Sequence, residues 1–249
     1  MRRIQLTVAY DGTGYSGYQI QKNAVTIEGV LKEALRELTG EDCDLIGGSR
    51  TDAGVHARCN VAVFDTSSRI PGEKFYYALN SKLPPEIRVV ASREVEADFH
   101  PRHCASRKTY EYHIDHAPIP DPLHSRYRTH IYWDLDVKAM QEAAACFLGE
   151  HDFAAFCSAG GQTETTVRTI YRCEVEETEG GRHLLIRVQG NGFLYNMVRI
   201  IAGTLLEVGA GRIMPEDIPG IIQSADRQAA GPTAPAKGLV LEKYEFDEF

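Results

Sequence analysis

Residues 47–57, Gly47-Gly48-Ser49-Arg50-Thr51-Asp52-Ala53-Gly54-Val55-His56-Ala57, pack an acid, a base and three glycines into eleven positions between two apolar segments. Glycine permits positive φ and lets a backbone or a ligand approach closely, so the glycines around Arg50 and Asp52 read as a shaped, chemical loop. A single Asp or Ser in a Gly-rich loop usually serves as a helix cap or turn former, so Asp52 has to be weighed with the rest of the chain. A second residue of interest is Arg199, the only charged side chain between Arg187 and Glu207. An arginine in so apolar a stretch is rarely buried without a carboxylate or phosphate partner; its plain alternative is a side chain that snorkels to water.

Other chemical patterns are weaker. Gly12-Thr13-Gly14-Tyr15-Ser16-Gly17 matches G-x-G-x-x-G after a strand, the dinucleotide fingerprint. That motif requires a helix to open at once, with its N-terminus on the pyrophosphate; here residues 18–25 intervene and the expected later acid is missing, so the segment reads as a shaped loop. His100-Pro101-Arg102-His103-Cys104 holds three potential metal ligands, but no second ligand pair stands at zinc-like spacing, and no metal is expected. The six cysteines are scattered without a CxxC pair and are expected to be free thiols.

The elements that must position these residues follow from periodicity. Residues 3–8 alternate, with Ile4, Leu6 and Val8 on one face of a strand. Thr26 is an N-cap for a helix whose apolar positions Ile27, Val30, Leu31, Ala34, Leu35 and Leu38 run until Gly40 stops it. A strand at 60–64, a helix at 74–80 ended by Leu83-Pro84-Pro85 and a strand starting at 88–90 complete a first half. The polar, basic connector 98–107 leads to a strand at 108–114 that puts Tyr110, Tyr112 and Ile114 on one face, an aromatic row that is normally core. Next come a strand at 129–133, a helix from Val137 to Leu148 that Gly149 ends, and a flexible Ser/Gly/Thr-rich stretch at 151–166 able to close over a substrate. Strands at 170–175 and 184–188, a helix at 193–208, a short helix at 218–225 and a closing strand at 239–246 follow. Each half mixes strands with one long helix, which points to an α+β fold rather than a strictly alternating parallel one.

With 249 residues, 43 % hydrophobic and 25 % charged, the chain can form one large or two modest domains with a well-filled core. The longest apolar stretch, 200–206, falls far short of the ~20 residues a bilayer span requires, and residues 1–5 lead straight into a strand, so a cytoplasmic enzyme or binding protein with no membrane association is expected. The net charge of −8 argues against a generic nucleic-acid coat and confines any polyanion-binding surface to a local cluster of Arg and Lys.

Five stretches together resemble the TruA-type tRNA pseudouridine synthases along nearly the whole chain. They are Tyr10-Asp11-Gly12-Thr13 with Gly17-Tyr18-Gln19; Gly48 through His56; Asp98-Phe99-His100 through Lys108-Thr109-Tyr110; Gly192-Phe193-Leu194 with Met197-Val198-Arg199; and Thr233-Ala234-Pro235-Ala236 with Gly238-Leu239. The Arg-Thr-Asp-Ala-Gly-Val-His run carries the most weight, and Tyr18 stands where that family usually has Trp. The resemblance implies a mixed, mostly antiparallel sheet flanked by helices, built as two α+β halves, 1–104 and 105–249, with a central cleft. It implies that Asp52 is the catalytic aspartate, Tyr110 the base-contacting tyrosine and Arg199 the basic partner of the aspartate. It further implies conversion of uridine to pseudouridine at positions 38–40 of the tRNA anticodon arm, by a homodimer, without metal, nucleotide or redox cofactor.

The chemistry suits the residue types. Uridine must lose its C1′–N1 bond, turn while held and rejoin through C5, and a carboxylate serves as nucleophile or as stabiliser of an oxocarbenium-like sugar. Burial alone would push the Asp52 carboxyl up, and a paired arginine opposes that. A flipped-out base costs a few kcal/mol, which an aromatic face such as Tyr110 offsets at ~1–3 kcal/mol by stacking. Arg50, two residues before Asp52, is placed to fill the vacated stack or hold a phosphate. Two rivals stay open on the sequence: an RNA-binding protein without catalysis, suggested by the basic connector at 102–108, and the dinucleotide enzyme of the glycine motif.

Overall fold

The computed structural model describes residues 1–161 and 163–246. In chain order the first segments are β1 (Arg2–Tyr10), α1 (Ile27–Thr39), β2 (Ile46–Gly47), β3 (His56–Thr66), α2 (Phe75–Asn80) and β4 (Ile87–Val95). They are followed by β5 (Ser106–Asp115), β6 (Thr129–His130), α3 (Val137–Ala145), β7 (Gly149–Asp152), β8 (Val167–Thr178), β9 (His183–Gly190), α4 (Met197–Gly209), α5 (Ile218–Ser224) and β10 (Leu239–Phe246). Two compact units emerge: Met1–Ala105 with the chain from Val240, and Ser106–Leu239. The sequence reading kept everything after residue 104 together. The structure differs at the end of the chain, because β10 pairs in parallel with β3, Val240 opposite His56 and Leu241 opposite Ala57.

In the first unit β1 runs antiparallel to both β3 and β4, and β2 caps β3 antiparallel. The expected alternation is realised: Ile4, Leu6 and Val8 of β1 are fully buried, as are Leu31 and Leu35 of the amphipathic α1 and Phe75 and Leu79 of α2, while α2 packs on β4 and α1. Thr26 caps α1 by accepting the Gly29 N–H, and Gly40 ends it in the left-handed conformation. β3 is longer than the residues 60–64 expected, because His56 and Ala57 already belong to it.

In the second unit β5, β9, β8 and β7 lie side by side, each antiparallel to the next, with β6 parallel to β5. The pairing is therefore mixed but mostly antiparallel, with the helices flanking it. α3 packs on α4 and β8. Four expectations are corrected here. The helix from Val137 ends at Ala145, and Gly149 opens β7 with φ near 100° instead of capping a helix. The stretch 151–166 is not flexible from its start: Phe153, Ala155 and Phe156 are fully buried, because three apolar side chains so close together gain more from the core than from solvent. Gln162, later in that stretch, lies outside the described residues. The last long helix begins at Met197 rather than 193, since Asn196 adopts a left-handed backbone that a helix cannot include. The strand at 129–133 shortens to Thr129–His130. Among the described residues no helix is long and apolar enough to cross a membrane, and no group of three or more His, Cys, Asp or Glu side chains is arranged to hold a metal ion.

Candidate active site

Between β2 and β3 the chain alternates as an extended segment must: Ser49 and Thr51 are buried, Arg50 is exposed and Asp52 is partly exposed. The buried pair is fastened. Asn60 of β3, fully buried, accepts the Ser49 N–H through Oδ1 at 3.1 Å and donates Nδ2–H to the Ser49 carbonyl at 2.9 Å. Its Oδ1 also accepts the Val61 N–H at 2.9 Å, and Nδ2 donates to the Tyr10 hydroxyl at 3.1 Å. The Tyr10 oxygen lies 2.7 Å from Thr51 Oγ1. Both amide hydrogens and both lone pairs of Asn60 are thus used, which is how a buried amide is tolerated. Burial pushes the Tyr10 phenol far up, so it is a neutral hydroxyl. After Thr51 the chain turns, the Val55 N–H closing on the Asp52 carbonyl at 3.1 Å.

The glycine segment after β1 is the seat for this loop. Tyr18 N–H donates to the Thr51 carbonyl at 3.0 Å. Gly17 has φ +87°, and a Cβ there would stand 2.9 Å from the Thr51 carbonyl oxygen. At Gly12 a Cβ would fall inside the van der Waals envelope of the Val55 carbonyl, closer than real Cβ contacts come. The G-x-G-x-x-G pattern therefore marks two close backbone approaches to the Asp52 loop, and no helix follows it before Ile27. Gly12 N–H also donates to His56 Nδ1 at 3.1 Å, a role that a proton on that nitrogen would abolish; Asp11 Oδ1 stands 3.2 Å from the same atom. The Tyr18 and Ser49 hydroxyl oxygens are buried with no hydrogen-bond partner among the described residues.

The other two expected site residues belong to the second unit. Tyr110 of β5 is 8 % exposed and packs edge-on to Phe193, ring centroids 5.2 Å apart and interplanar angle 89°. Tyr110, Tyr112 and Ile114 share the buried face, as the alternation implied. The Tyr112 hydroxyl donates to the Pro235 carbonyl at 2.9 Å and stands 2.7 Å from Thr129 Oγ1. Arg199 sits in the first turn of α4, half-buried. Its Nε donates to the Ala234 carbonyl at 2.8 Å and its Nη1 to Asn196 Oδ1 at 2.7 Å, while the Ala234 N–H returns to the Arg199 carbonyl at 3.1 Å. Asn196 in turn donates Nδ2–H to Ser158 Oγ at 3.0 Å. The guanidinium is thus oriented by the segment around Pro235 and by the residue that opens the helix, rather than simply snorkelling.

Sequence reasoning singled out Arg50, Asp52, Tyr110 and Arg199. Arg50 and Asp52 share one loop of the first unit; Tyr110 and Arg199 lie in the second, on β5 and α4. It missed Asn60, Tyr10 and Thr51, which hold the loop, and Asn196 and Ala234, which orient Arg199. One signal was present for Asn60: an amide opening the apolar run Val61-Ala62-Val63-Phe64 must find partners if buried. Chemically, the arrangement offers a carboxylate on an immobilised backbone in one unit, and a packed phenol with a pre-oriented guanidinium in the other.

Comparison with known proteins gives the chain a context. The family model described as tRNA pseudouridine synthase matches residues 6–103 and 143–247. A tRNA pseudouridine synthase A of Ruminiclostridium cellulolyticum is 52 % identical over 241 residues, 97 % of this chain and 98 % of that protein. One of Acetivibrio thermocellus is 50 % identical over 242 residues, with the same coverage of 97 % and 98 %. Among solved structures, the archaeal box H/ACA sRNP Nop10–Cbf5 complex aligns with a TM-score of 0.40 and 14 % identity, covering 92 % of this chain and 60 % of that one.

Proposed function

The chain belongs to the tRNA pseudouridine synthase family, and from that premise we propose that it isomerises uridine to pseudouridine at positions 38–40 of the tRNA anticodon stem-loop, with Asp52 as the nucleophile. The observation that carries this reading is the alternation through residues 49–52. Ser49 and Thr51 are buried and hydrogen-bonded to Asn60 and Tyr10, and Arg50 and Asp52 are the more exposed positions that alternate with them. A carboxylate held this way needs no rearrangement when it reacts, which is the economical way to stabilise a transition state.

The reaction is internally balanced. The C1′–N1 bond breaks, a C1′–C5 bond forms, C5 loses a proton and N1 gains one. Nothing is oxidised or consumed. Tyr110, its ring fixed against Phe193, contacts the flipped base, and a rigid aromatic face offsets unstacking by ~1–3 kcal/mol. Arg199 serves as the cationic partner that favours the charged form of the catalytic carboxylate. Arg50, exposed beside Asp52, takes the vacated stack or a phosphate. The enzyme works in the cytoplasm as a homodimer on one tRNA.

The test is direct. Incubated with an unmodified tRNA transcript carrying uridines at 38–40, the protein forms pseudouridine there and forms none when those positions are cytidine. Pseudouridine only elsewhere would overturn the site assignment. Binding without any pseudouridine would leave a non-catalytic RNA-binding protein.

A further inference from the structure

We infer that the Tyr10 hydroxyl, backed by Asn60, is a positioning device for the reactive carboxylate: it fixes Thr51 and through it the backbone that presents Asp52. The inference rests on the reading of Asp52 as the nucleophile and adds residues that touch neither base nor sugar. Donor directions support it. The Asn60 amide nitrogen can only donate, so the Tyr10 oxygen accepts from it, and one of the two hydroxyl protons joins Tyr10 to Thr51 Oγ1. The relay therefore connects β3, through the end of β1, to the residue preceding Asp52.

Two further observations show that this relay serves the loop rather than the sheet. The β1–β3 backbone ladder runs in regular register from Arg2–Thr66 to Val8–Asn60, slips between Val8 and Tyr10 and resumes at Tyr10–Ala57, so the relay's side-chain contacts are additional to the backbone pairing. Such a slip is how a sheet re-aims a side chain at its end. Also, the partners the relay reaches outside its two strands are Ser49 and Thr51, the buried positions that alternate with Arg50 and Asp52. The phenol sits 4 % exposed and burial keeps it unionised, so its contact with Thr51 stays one between two neutral hydroxyls.

Tyr10→Phe and Thr51→Val remove the two hydroxyls one at a time with little change in shape, and Thr51→Ser keeps the hydroxyl. Misplacing a reacting group by about 1 Å costs on the order of 10²-fold. Each single variant is therefore expected to lose about 10- to 100-fold in kcat, with KM for tRNA within about twofold of wild type. The double variant should be no worse than either single, because both remove the same contact, and Thr51→Ser should recover most of the rate. Amide hydrogen exchange supplies a readout independent of turnover. In Tyr10→Phe, the amides of residues 50–54 should exchange at least about tenfold faster while those of β1 and β3 keep their protection.

Wild-type kcat in both single variants, multiplying losses in the double, or exchange that rises across β1 and β3 as much as in the loop would each overturn the positioning role. Retained turnover in Asp52→Asn would overturn the nucleophile assignment instead, while the exchange result would still decide whether the relay holds the loop.

Discussion

Residues 48–55 and residues 157–166 are both rich in glycine, serine and threonine, yet the fold treats them in opposite ways. In the first, Ser49 and Thr51 are buried, Asn60 binds the Ser49 backbone, Tyr10 the Thr51 hydroxyl and Tyr18 the Thr51 carbonyl, and Gly12 and Gly17 let neighbouring backbone close in. In the second, described residues from Ala159 through Thr165 are exposed, and the segment is tied down mainly at its ends, Ser158 to the Tyr195 carbonyl and the Asn196 amide and the Thr166 carbonyl to the Phe153 N–H. Composition predicts a loop in both places. What decides rigidity is whether an adjoining strand offers a buried polar partner, since a buried, unpaired amide or carbonyl costs about 1–3 kcal/mol and the chain settles where none is left. The first kind of loop presents its side chains from a buried, hydrogen-bonded frame, and the second leaves most of its residues to solvent.

Glycine substitutions break this comparison most sharply. Gly12→Ala drives a Cβ into the Val55 backbone and is expected to cost about 3 kcal/mol in urea unfolding, with the Asp52 loop displaced in whatever remains folded. Gly160→Ala, at φ +89° but with nothing within 4 Å of the new Cβ, should cost only about 1 kcal/mol of backbone strain. If the two losses are equal, close approach is not what distinguishes the loops.

The Tyr18 hydroxyl is buried without a hydrogen-bond partner among the described residues, and burial holds its pKa well above that of an exposed phenol. Tyr18→Phe removes an uncompensated polar atom and keeps the ring, so stability should rise by about 1 kcal/mol in the same measurement. A fall of that size would mean the hydroxyl is satisfied after all. Smallest of all, Gly14→Ala, two residues from Gly12 but with open space around its Cβ and no positive φ, should stay within about 0.5 kcal/mol of wild type.

The parts of this architecture that could be read from the sequence are those set by near neighbours. The α1 helix was legible because its stripe, its Thr26 cap and its Gly40 stop lie within fifteen residues. The Asp52 loop was legible because its residue types are dense and unusual. Asn60, Tyr10 and Thr51 were not, since the contact of Tyr10 with Thr51 joins positions 41 residues apart and depends on a register slip that no local pattern announces. The return of β10 to β3, across more than 170 positions, was invisible for the same reason. Phe153 and Phe156 were misjudged because the polar residues after them dominate the window, while burial is settled by the aromatic rings alone.

The central claim is that the carboxylate presented by this clamped loop carries the reaction. Purified Asp52→Asn, folded and still binding tRNA, should form pseudouridine at least about a thousandfold more slowly than wild type in single-turnover assays. Turnover within about tenfold of wild type would contradict the claim.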